Sequence, residues 1–276
     1  MTFSIVARSA DGRAHGVAVA SKFLAVGSAV PAAEAEVGAL ATQSYANLAY
    51  RPQGLALLRT GVDAAGVVAG LTAADPGREQ RQVGVVALRG AGASYTGAEC
   101  MDWAGGRTGD GYAIQGNILA GPQVVAEMER AWLDSDPEAE LGDRLLAALR
   151  AGDRAGGDRR GRQSAALLVV QRDRGYGGTG DVAVDLRVDD HTDPVAELLR
   201  LLELHRLYFG RPDPDALLEL TGPLAAEVAD RLSGRGYAQA DLDAALRAWA
   251  GVENLEERLV PGSIDPLVLA QLRATD

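Results

Sequence analysis

TFSIVARS, residues 2–9, is the stretch that decides the fold of this chain, because a strand begins at the very start of the sequence. Apolar and β-branched residues dominate the stretch, which is typical of a strand. Asp11-Gly12 is a turn signal, and GVAVASKF at 16–23 runs back as a second strand. The sequence therefore predicts a β-hairpin at the amino terminus.

Length and composition allow a full hydrophobic core. The chain has 276 residues, enough for one large domain or one large and one small domain. Apolar residues make up 47% of the chain and aromatic residues only 5%, so we expect a core built from Ala, Val and Leu. Abundant Ala and Gly favour close approach of neighbouring backbones.

Charge and cysteine content exclude several classes of protein. A net charge of −11 argues against a nucleic-acid-binding protein, which needs clustered Lys and Arg, and against binding to an anionic membrane surface. The single cysteine excludes an intramolecular disulfide bond. No apolar run approaches membrane-spanning length and no secretory leader pattern opens the sequence, so we expect a cytoplasmic protein.

The order of elements predicts an α+β protein. After the hairpin come a small-residue strand at 37–45, two helices between 52 and 73, a hairpin at 82–88 and 93–97, and a strand from 111. Two further helices follow between 122 and 151, then strands at 162–172 and 181–188 and a helix at 195–208. Strand groups separated by helix pairs favour antiparallel sheets with helices on the outside. No G-x-G-x-x-G motif follows a strand, so a dinucleotide-binding sheet is not predicted.

A break in composition at RPDPD, residues 211–215, predicts a linker. The pattern beyond it is almost wholly helical. We therefore predict two domains, an α+β domain over 1–210 and a small helical domain over 211–276.

The sequence lacks the common catalytic motifs, including G-x-S-x-G, H-E-x-x-H and a Walker loop. One nucleophile needs no histidine, namely a hydroxyl on a first residue whose own α-amine is the base. Thr2 fits once Met1 is removed, and the strand that follows would hold it in place. Lys22, at the end of the returning strand, could lower the pKa of that amine. Each feature is also common in ordinary proteins, so only their conjunction supports the hypothesis.

Seven stretches together carry a family resemblance over residues 1 to about 210. They are MTFSIVARS, GVAVASKF, ATQSYAN, TGAECMDWAGGRTG, YAIQGNILAG, GGDRRGRQSAALLVV and VDLRVDDHTDPVAELLRL. The chain resembles the bacterial family called domain of unknown function 1028. The resemblance implies an N-terminal-nucleophile hydrolase fold, a four-layer αββα sandwich, and an amide-bond hydrolase acting through Thr2.

The resemblance also bears on Lys22 and on the tail. Members of that superfamily commonly carry a Lys on the second or third strand, and Lys22 is the only lysine in the chain. The tail resembles a peptidoglycan-binding module appended to some family members. Because the tail lacks a repeated aromatic and glycine pattern, its role stays open.

Two groups of residues are candidates for substrate binding. Polar residues at the ends of the third strand and of the strand from 111 could orient substrate or stabilise an oxyanion, although turn formation explains them equally well. The loop GGDRRGRQ at 156–163 could clasp a carboxylate through bidentate arginines, or could simply be a solvated loop. These candidates are Gln43, Ser44, Asn47, Asn117, Arg159, Arg160 and Arg162.

A metal site is the weaker alternative. Asp189, Asp190 and His191 lie together in VDDHTD, but neighbours on an extended chain point to opposite faces, and helix capping by Asp193 explains much of the stretch. We expect no cofactor, a small-molecule or short-peptide substrate, and a homo-oligomer. Two other functions remain open at this stage: a non-catalytic binding or scaffold protein, and a metal-dependent hydrolase.

Overall fold

A computed structural model of the protein describes residues 2–274. The chain divides into two compact units between Leu201 and Leu202. The first unit has the α+β character expected from the order of elements. The second is small and mostly helical. Each is described by itself below.

The first unit is built around a six-stranded antiparallel sheet in which β1 is central. Alternating side chains of β1 are buried on both faces, so the strand fits only in the interior of the sheet. Its partners are β2 on one side and β8 on the other, and the order across the sheet is β10-β9-β2-β1-β8-β7. The bounds are β1 Thr2–Arg8, β2 Ala14–Ser21, β7 Gly105–Gly109, β8 Tyr112–Asn117, β9 Ser164–Gln171 and β10 Val182–Val188.

A four-stranded antiparallel sheet packs against the first. Its order is β3-β4-β5-β6, with bounds β3 Pro31–Glu34, β4 Gly38–Gln43, β5 Gln82–Ala87 and β6 Ala93–Thr96. Strand β5 contacts β8, and β4 contacts β1 and β2. Small side chains fill the space between the sheets, so the layers approach closely. This shared core includes Val6, Val17, Val19, Ala39, Ala41 and Val86.

Helices cover the outer face of each sheet. The pair α2 and α3 contacts β3 to β6, and the pair α4 and α5 contacts the larger sheet. Helix α5 places apolar residues at Leu141, Leu145 and Leu149, so one face of the helix is buried. The guanidinium of Arg144 lies 3.8 Å from the Trp132 ring and joins α5 to α4. The helices of this unit are α1 Val26–Ala29, α2 Tyr50–Arg59, α3 Ala64–Ala73, α4 Gln123–Asp134 and α5 Leu141–Arg154, while α6, Pro194–Phe209, crosses the boundary between the units.

The second unit has its own core around the buried indole of Trp249. A buried ion pair links two segments of this unit, with Nη1 of Arg258 2.7 Å from Oδ2 of Asp265. The same guanidinium donates to the carbonyls of Leu207 and Arg206 at the end of α6. The remaining elements are β11 Leu218–Glu219, α7 Gly222–Gly234, α8 Leu242–Val252, β12 Ser263–Ile264 and α9 Pro266–Ala274.

The structure confirms the amino-terminal hairpin and both helix pairs. The elements α1, β3 and β7 were not predicted, and neither were the short strands β11 and β12 of the second unit. The second strand begins before the predicted residue 16, because β2 starts at Ala14 and includes the fully buried His15. In residues 2–274, no helix is long and apolar enough to span a bilayer.

His15 should make the stability of the protein depend on pH. Burial lowers its pKa to about 4, and the nearby charge of Arg8 acts in the same direction. In the unfolded chain an ordinary histidine has a pKa of about 6.5. The unfolded state therefore binds more protons between these values, and stability should fall as pH drops from about 6.5 to about 4, by roughly 3 kcal/mol.

Urea unfolding of the full chain at several pH values in this window measures the effect. We expect His15→Phe to remove this part of the pH dependence. The exposed His191 provides the matched control, and His191→Phe should leave the slope as in the wild type. Identical slopes for the wild type and His15→Phe would contradict the assignment.

Candidate functional site

Thr2 lies at the beginning of β1, between the ends of two neighbouring strands. It pairs with Asn117 of β8, and because Phe3 pairs with Ala20, Ser21 of β2 is its other neighbour. Only 6% of Thr2 is exposed. Its hydroxyl lies 3.0 Å from the hydroxyl of Ser21, and either group can donate. The strand therefore places the Thr2 hydroxyl in a polar, almost fully buried environment beside a second hydroxyl.

The carbonyl of Thr2 is held by two buried amides. Gln43 of β4 donates to this oxygen through Nε2 at 3.3 Å, and Asn117 donates through Nδ2 at 3.5 Å. Both amides also donate to Oε1 of Gln82, at 2.8 and 3.0 Å. The position of the first strand residue thus depends on groups from both sheets.

Gln82 is the centre of this network. Its own Nε2 donates to the Gly116 carbonyl at 2.8 Å and to the Thr96 hydroxyl at 2.9 Å. Its amide is buried, so each of these bonds replaces one that water would supply. Because the donors of Gln82 are occupied elsewhere, its oxygen must face Gln43 and Asn117. We call the side chains of Ser4, Gln43, Gln82, Gln115 and Asn117 the amide network.

The network continues away from Thr2 through Ser4 and Gln115. Ser4 donates to Oε1 of Gln43 at 2.8 Å and accepts from Nε2 of Gln115 at 2.7 Å. Gly84 of β5 leaves room for this arrangement, because a Cβ there would lie 2.0 Å from Oε1 of Gln115. A side chain at position 84 would therefore displace Gln115 and disturb the bonds that lead to Thr2.

Lys22 follows Ser21 directly, and its side chain is exposed. Its ammonium donates to the Arg162 carbonyl at 3.3 Å, and its backbone N–H donates to Oδ2 of Asp158 at 2.7 Å. Asp158 is buried and belongs to the predicted basic loop. The end of β2 and this loop are therefore tied together beside Thr2. That Lys22 lowers the pKa of the Thr2 amine stays a prediction.

The three candidate arginines have different environments. Arg162 makes a bidentate pair with Asp153, with both distances 2.8 Å, and this hydrogen bonding raises the pKa of the guanidinium. Arg160 pairs with Asp158. The exposed Arg159 side chain has no polar partner in the part of the chain that the structure describes. Of the three, Arg159 is the side chain most available to a ligand.

Asn47 is held by hydrogen bonds within the protein. Its Nδ2 donates to Asp75 at 3.1 Å, and the same carboxylate accepts from Tyr50 and Arg81. Burial would raise the pKa of Asp75, but these hydrogen bonds outweigh it and hold the pKa well below its usual range. Asn47 thus fixes the beginning of α2.

The remaining sequence candidates are Ser44 and the stretch at 189–191. Ser44 follows Gln43 with a backbone φ of 58°, a turn conformation. Asp189, Asp190 and His191 are exposed, and His191 Nδ1 accepts from the backbone of Asp193 at 3.0 Å. Within residues 2–274, no group of three His, Cys, Asp or Glu residues is placed to hold a metal ion.

Several residues of the site were not predicted from the sequence. Four of them share one signal, a polar residue at a buried strand position, whereas the fifth, Asp158, lies in the loop at 156–163. Gln82 opens the apolar strand β5, and Gln115 interrupts the apolar part of β8. The unpredicted residues are Ser4, Ser21, Gln82, Gln115 and Asp158.

The comparisons with known proteins agree with this architecture. Residues 2–198 match the model of a family described as "Family of unknown function (DUF1028)". The crystal structure of protein SPO2555 from Silicibacter pomeroyi, of that family, is 31% identical, with a TM-score of 0.66 over 82% of this chain and 92% of that one. The chain therefore belongs to the DUF1028 family.

Three further findings complete the comparisons. Residues 208–272 match a family model described as "Putative peptidoglycan binding domain". The Anbu (Gly-1) mutant from Hyphomicrobium sp. strain MC1 is 11% identical over 74% of this chain and 94% of that chain, and its TM-score of 0.39 is too low to establish a shared fold. No curated protein matches the sequence.

We expect Gln82→Leu to destabilise the protein strongly. The substitution removes the acceptor of two buried amides, and a buried polar group without a partner costs about 1–3 kcal/mol. Urea unfolding of the full chain followed by circular dichroism measures the change. The exposed Gln80, two residues earlier, supplies the control, and Gln80→Leu should change stability by less than about 0.5 kcal/mol. Equal effects of the two substitutions would show that Gln82 is not the centre of the network.

Proposed function

We propose that the first unit is an N-terminal-nucleophile amide hydrolase with Thr2 as its nucleophile. The observation that carries the proposal is the way Thr2 is held: two buried amides donate to its carbonyl, and within residues 2–274 its hydroxyl hydrogen-bonds to the neutral hydroxyl of Ser21. A nucleophile needs a fixed position and an oxygen that can lose its proton. The arrangement supplies the first requirement and is compatible with the second.

The proposal includes the four-layer αββα sandwich. Its support is the packing already described, in which α2 and α3 contact one sheet, the two sheets contact each other, and α4 and α5 contact the other sheet. The domain boundary proposed from the sequence, 1–210 and 211–276, lies close to the end of the first family match at 198 and the start of the second at 208.

The chemistry requires a free α-amine on Thr2. Met1 lies outside the described residues, and its removal is part of the proposal. The amine then takes the proton of the Thr2 hydroxyl while the hydroxyl oxygen attacks the amide carbon of the substrate. The amine passes that proton to the leaving nitrogen as the C–N bond breaks, and an ester on Thr2 remains. Water, deprotonated by the same amine, cleaves the ester and restores the hydroxyl.

The surrounding residues have separate roles in this proposal. Gln43 and Asn117 position Thr2, since their donors are occupied by its carbonyl and by Gln82. Lys22 is the cation that lowers the pKa of the amine, as a neighbouring positive charge does. Arg159 is the cation that receives a carboxylate of the substrate. The substrate is therefore a small amide that carries a carboxylate.

Substitution at Thr2 tests the proposal. Against a panel of acylated amino acids, ureido compounds and short peptides, Thr2→Ala should lower release of free amine at least about 1,000-fold, because it removes the nucleophile. Thr2→Ser keeps a hydroxyl and should retain activity. Thr60→Ala, which removes a hydroxyl at the exposed end of α2, should leave rates unchanged.

Two further measurements complete the test. Intact-mass spectrometry of the mature chain should show that Met1 is absent. A retained Met1, or unchanged turnover in Thr2→Ala, would contradict the proposal and favour a non-catalytic binding or scaffold protein. Loss of activity with a chelator would instead favour the metal-dependent alternative through Asp189, Asp190 and His191.

For the second unit, we propose contact with peptidoglycan. The support is the family match over 208–272. Trp249 is buried in the core, so the aromatic surface open to a sugar ring is Phe209, which is 48% exposed and stacks edge-on with His205 at 5.1 Å. A chain that binds peptidoglycan would have to reach the cell wall, contrary to the cytoplasmic location expected from the sequence.

Co-sedimentation of the full chain with purified peptidoglycan tests this second proposal. We expect the protein in the pellet, release by soluble muropeptides, and weaker binding of Phe209→Ser because the ring can no longer contact sugar. Val252→Ser, at an exposed position of α8, is the control and should bind like the wild type. Protein that stays in the supernatant would contradict the proposal.

A further inference from the structure

Exposed apolar side chains are concentrated at one end of the first unit. Five of them, each more than half exposed, lie on three segments that begin beside Thr2. Other exposed large side chains lie elsewhere: Leu88, Tyr176 and Val182 are near turns at the opposite end of the sheets, and Leu133 is near the end of α4. We call Phe23, Leu24, Tyr45, Leu48 and Met101 the apolar rim.

Chain connectivity places the first part of the rim next to Thr2. Phe23 and Leu24 follow Ser21, the residue whose hydroxyl contacts the Thr2 hydroxyl. Two residues of extended chain span at most about 7 Å, so the backbone of Phe23 lies close to the nucleophile. The side chains of Phe23 and Leu24 are exposed there instead of entering the core.

The rest of the rim is tied to the amide network. Tyr45 follows two residues after Gln43, and the Thr42 hydroxyl bonds to the Asn47 carbonyl at 3.4 Å, which brings the chain at Leu48 back to the end of β4. The carbonyl of Met101 accepts from the backbone N–H of Ile118 at 2.9 Å, one residue beyond Asn117. All three segments therefore surround the same strand ends.

Cations complete the same surface. Lys22 directly precedes Phe23, and the backbone N–H of Arg159 donates to the Ile118 carbonyl at 3.3 Å. Both side chains are exposed. Two exposed cations thus lie beside the apolar rim, in a chain whose net charge is −11. Apolar walls with a few placed charges are typical of ligand-binding surfaces.

We propose that the apolar rim binds the acyl chain of the substrate, while Arg159 and Lys22 receive its carboxylate. This proposal rests on the proposed function and narrows it to N-acyl amino acids with an extended apolar acyl group. The occupant follows from charge and position: an apolar chain fits the rim, a carboxylate matches the cations, and the amide between them reaches the Thr2 hydroxyl.

Equilibrium binding to the full-length Thr2→Ala protein tests the proposal without hydrolysis. The probes are N-acylglycines from acetyl to decanoyl, titrated by calorimetry. Affinity should rise about threefold to fourfold for each added methylene, as burial of a CH₂ group predicts, until the chain exceeds the rim. Glycinamide analogues without the carboxylate should bind more weakly, and Arg159→Met should reduce that difference.

Substitutions inside and outside the apolar rim are compared by their effect on how affinity depends on acyl-chain length. In the same background, Leu24→Ser and Leu48→Ser should flatten the dependence on chain length. Leu133→Ser, which removes an equally exposed leucine outside the rim, should leave the dependence unchanged. Flat affinity across the acyl series, or no binding, would overturn the proposal.

The oligomeric state and the wild-type activity separate the remaining outcomes. If Leu24→Ser and Leu48→Ser turn an oligomer into a monomer and leave the acyl dependence unchanged, the rim is covered by a second copy and the proposal fails. If the acyl dependence of binding is present but wild-type protein hydrolyses none of the acylglycines, the rim is a binding site and the proposed hydrolase function fails instead.

Discussion

The first unit depends on one constraint, namely that amide groups buried between two sheets must all find hydrogen-bond partners. Apolar packing alone would let two small-residue sheets slide over each other, because valine and alanine contacts are nearly interchangeable. Gln82 prevents this: its amide bonds at once to Gln43 on its own sheet and to Asn117 and Gly116 on the other. A shift of the sheets would leave these groups without partners, at about 1–3 kcal/mol for each.

This constraint explains how an end of the chain can be rigid. The first residues of a domain are usually poorly ordered unless contacts hold them. Thr2 is held by strand pairing on both sides and by two amide donors to its carbonyl, Gln43 from the other sheet and Asn117 from the neighbouring strand. The Gly84 position belongs to the same arrangement, since only a residue without Cβ leaves room for Gln115, which orients Ser4 and through it Gln43.

Local patterns in the sequence were enough for most elements and for part of the site. The alternation of β1 and β2, the Asp11-Gly12 turn and the leucine spacing of α5 are local features, and the hairpin and helices followed from them. Strand β7 was missed because GGRTG has almost no β propensity and becomes a strand only through pairing with β8. Thr2 could be predicted because it carries a hydroxyl directly after Met1, and Asn117 because it lies at a strand end. Gln82 and Gln115 were not predicted, because their partners lie 39 and 111 residues away in sequence.

Residue composition does not predict which side chains are available to a ligand, because that depends on their ion-pair and hydrogen-bond partners. The loop at 156–163 carries three arginines, and nothing in its sequence distinguishes Arg162, bound to Asp153, from Arg159, which has no polar side-chain partner in residues 2–274. The sequence around Asn47 likewise does not reveal that its amide donates to the distant Asp75.

The case for a reactive Thr2 rests on which of its atoms the protein restrains. A threonine kept only for stability would have its hydroxyl in bonds that satisfy both donor and acceptor. Here the amide network acts on the carbonyl, and the hydroxyl contacts Ser21, a neutral group able to donate or accept. The amide network therefore holds the Thr2 carbonyl, while the Thr2 hydroxyl is hydrogen-bonded to a neutral group. Outside this polar interior lie exposed apolar side chains on three separate segments, where a stable surface would more often carry charge. The proposed acyl-transfer site thus combines a threonine whose carbonyl is held by buried amides with exposed apolar side chains around the same strand ends.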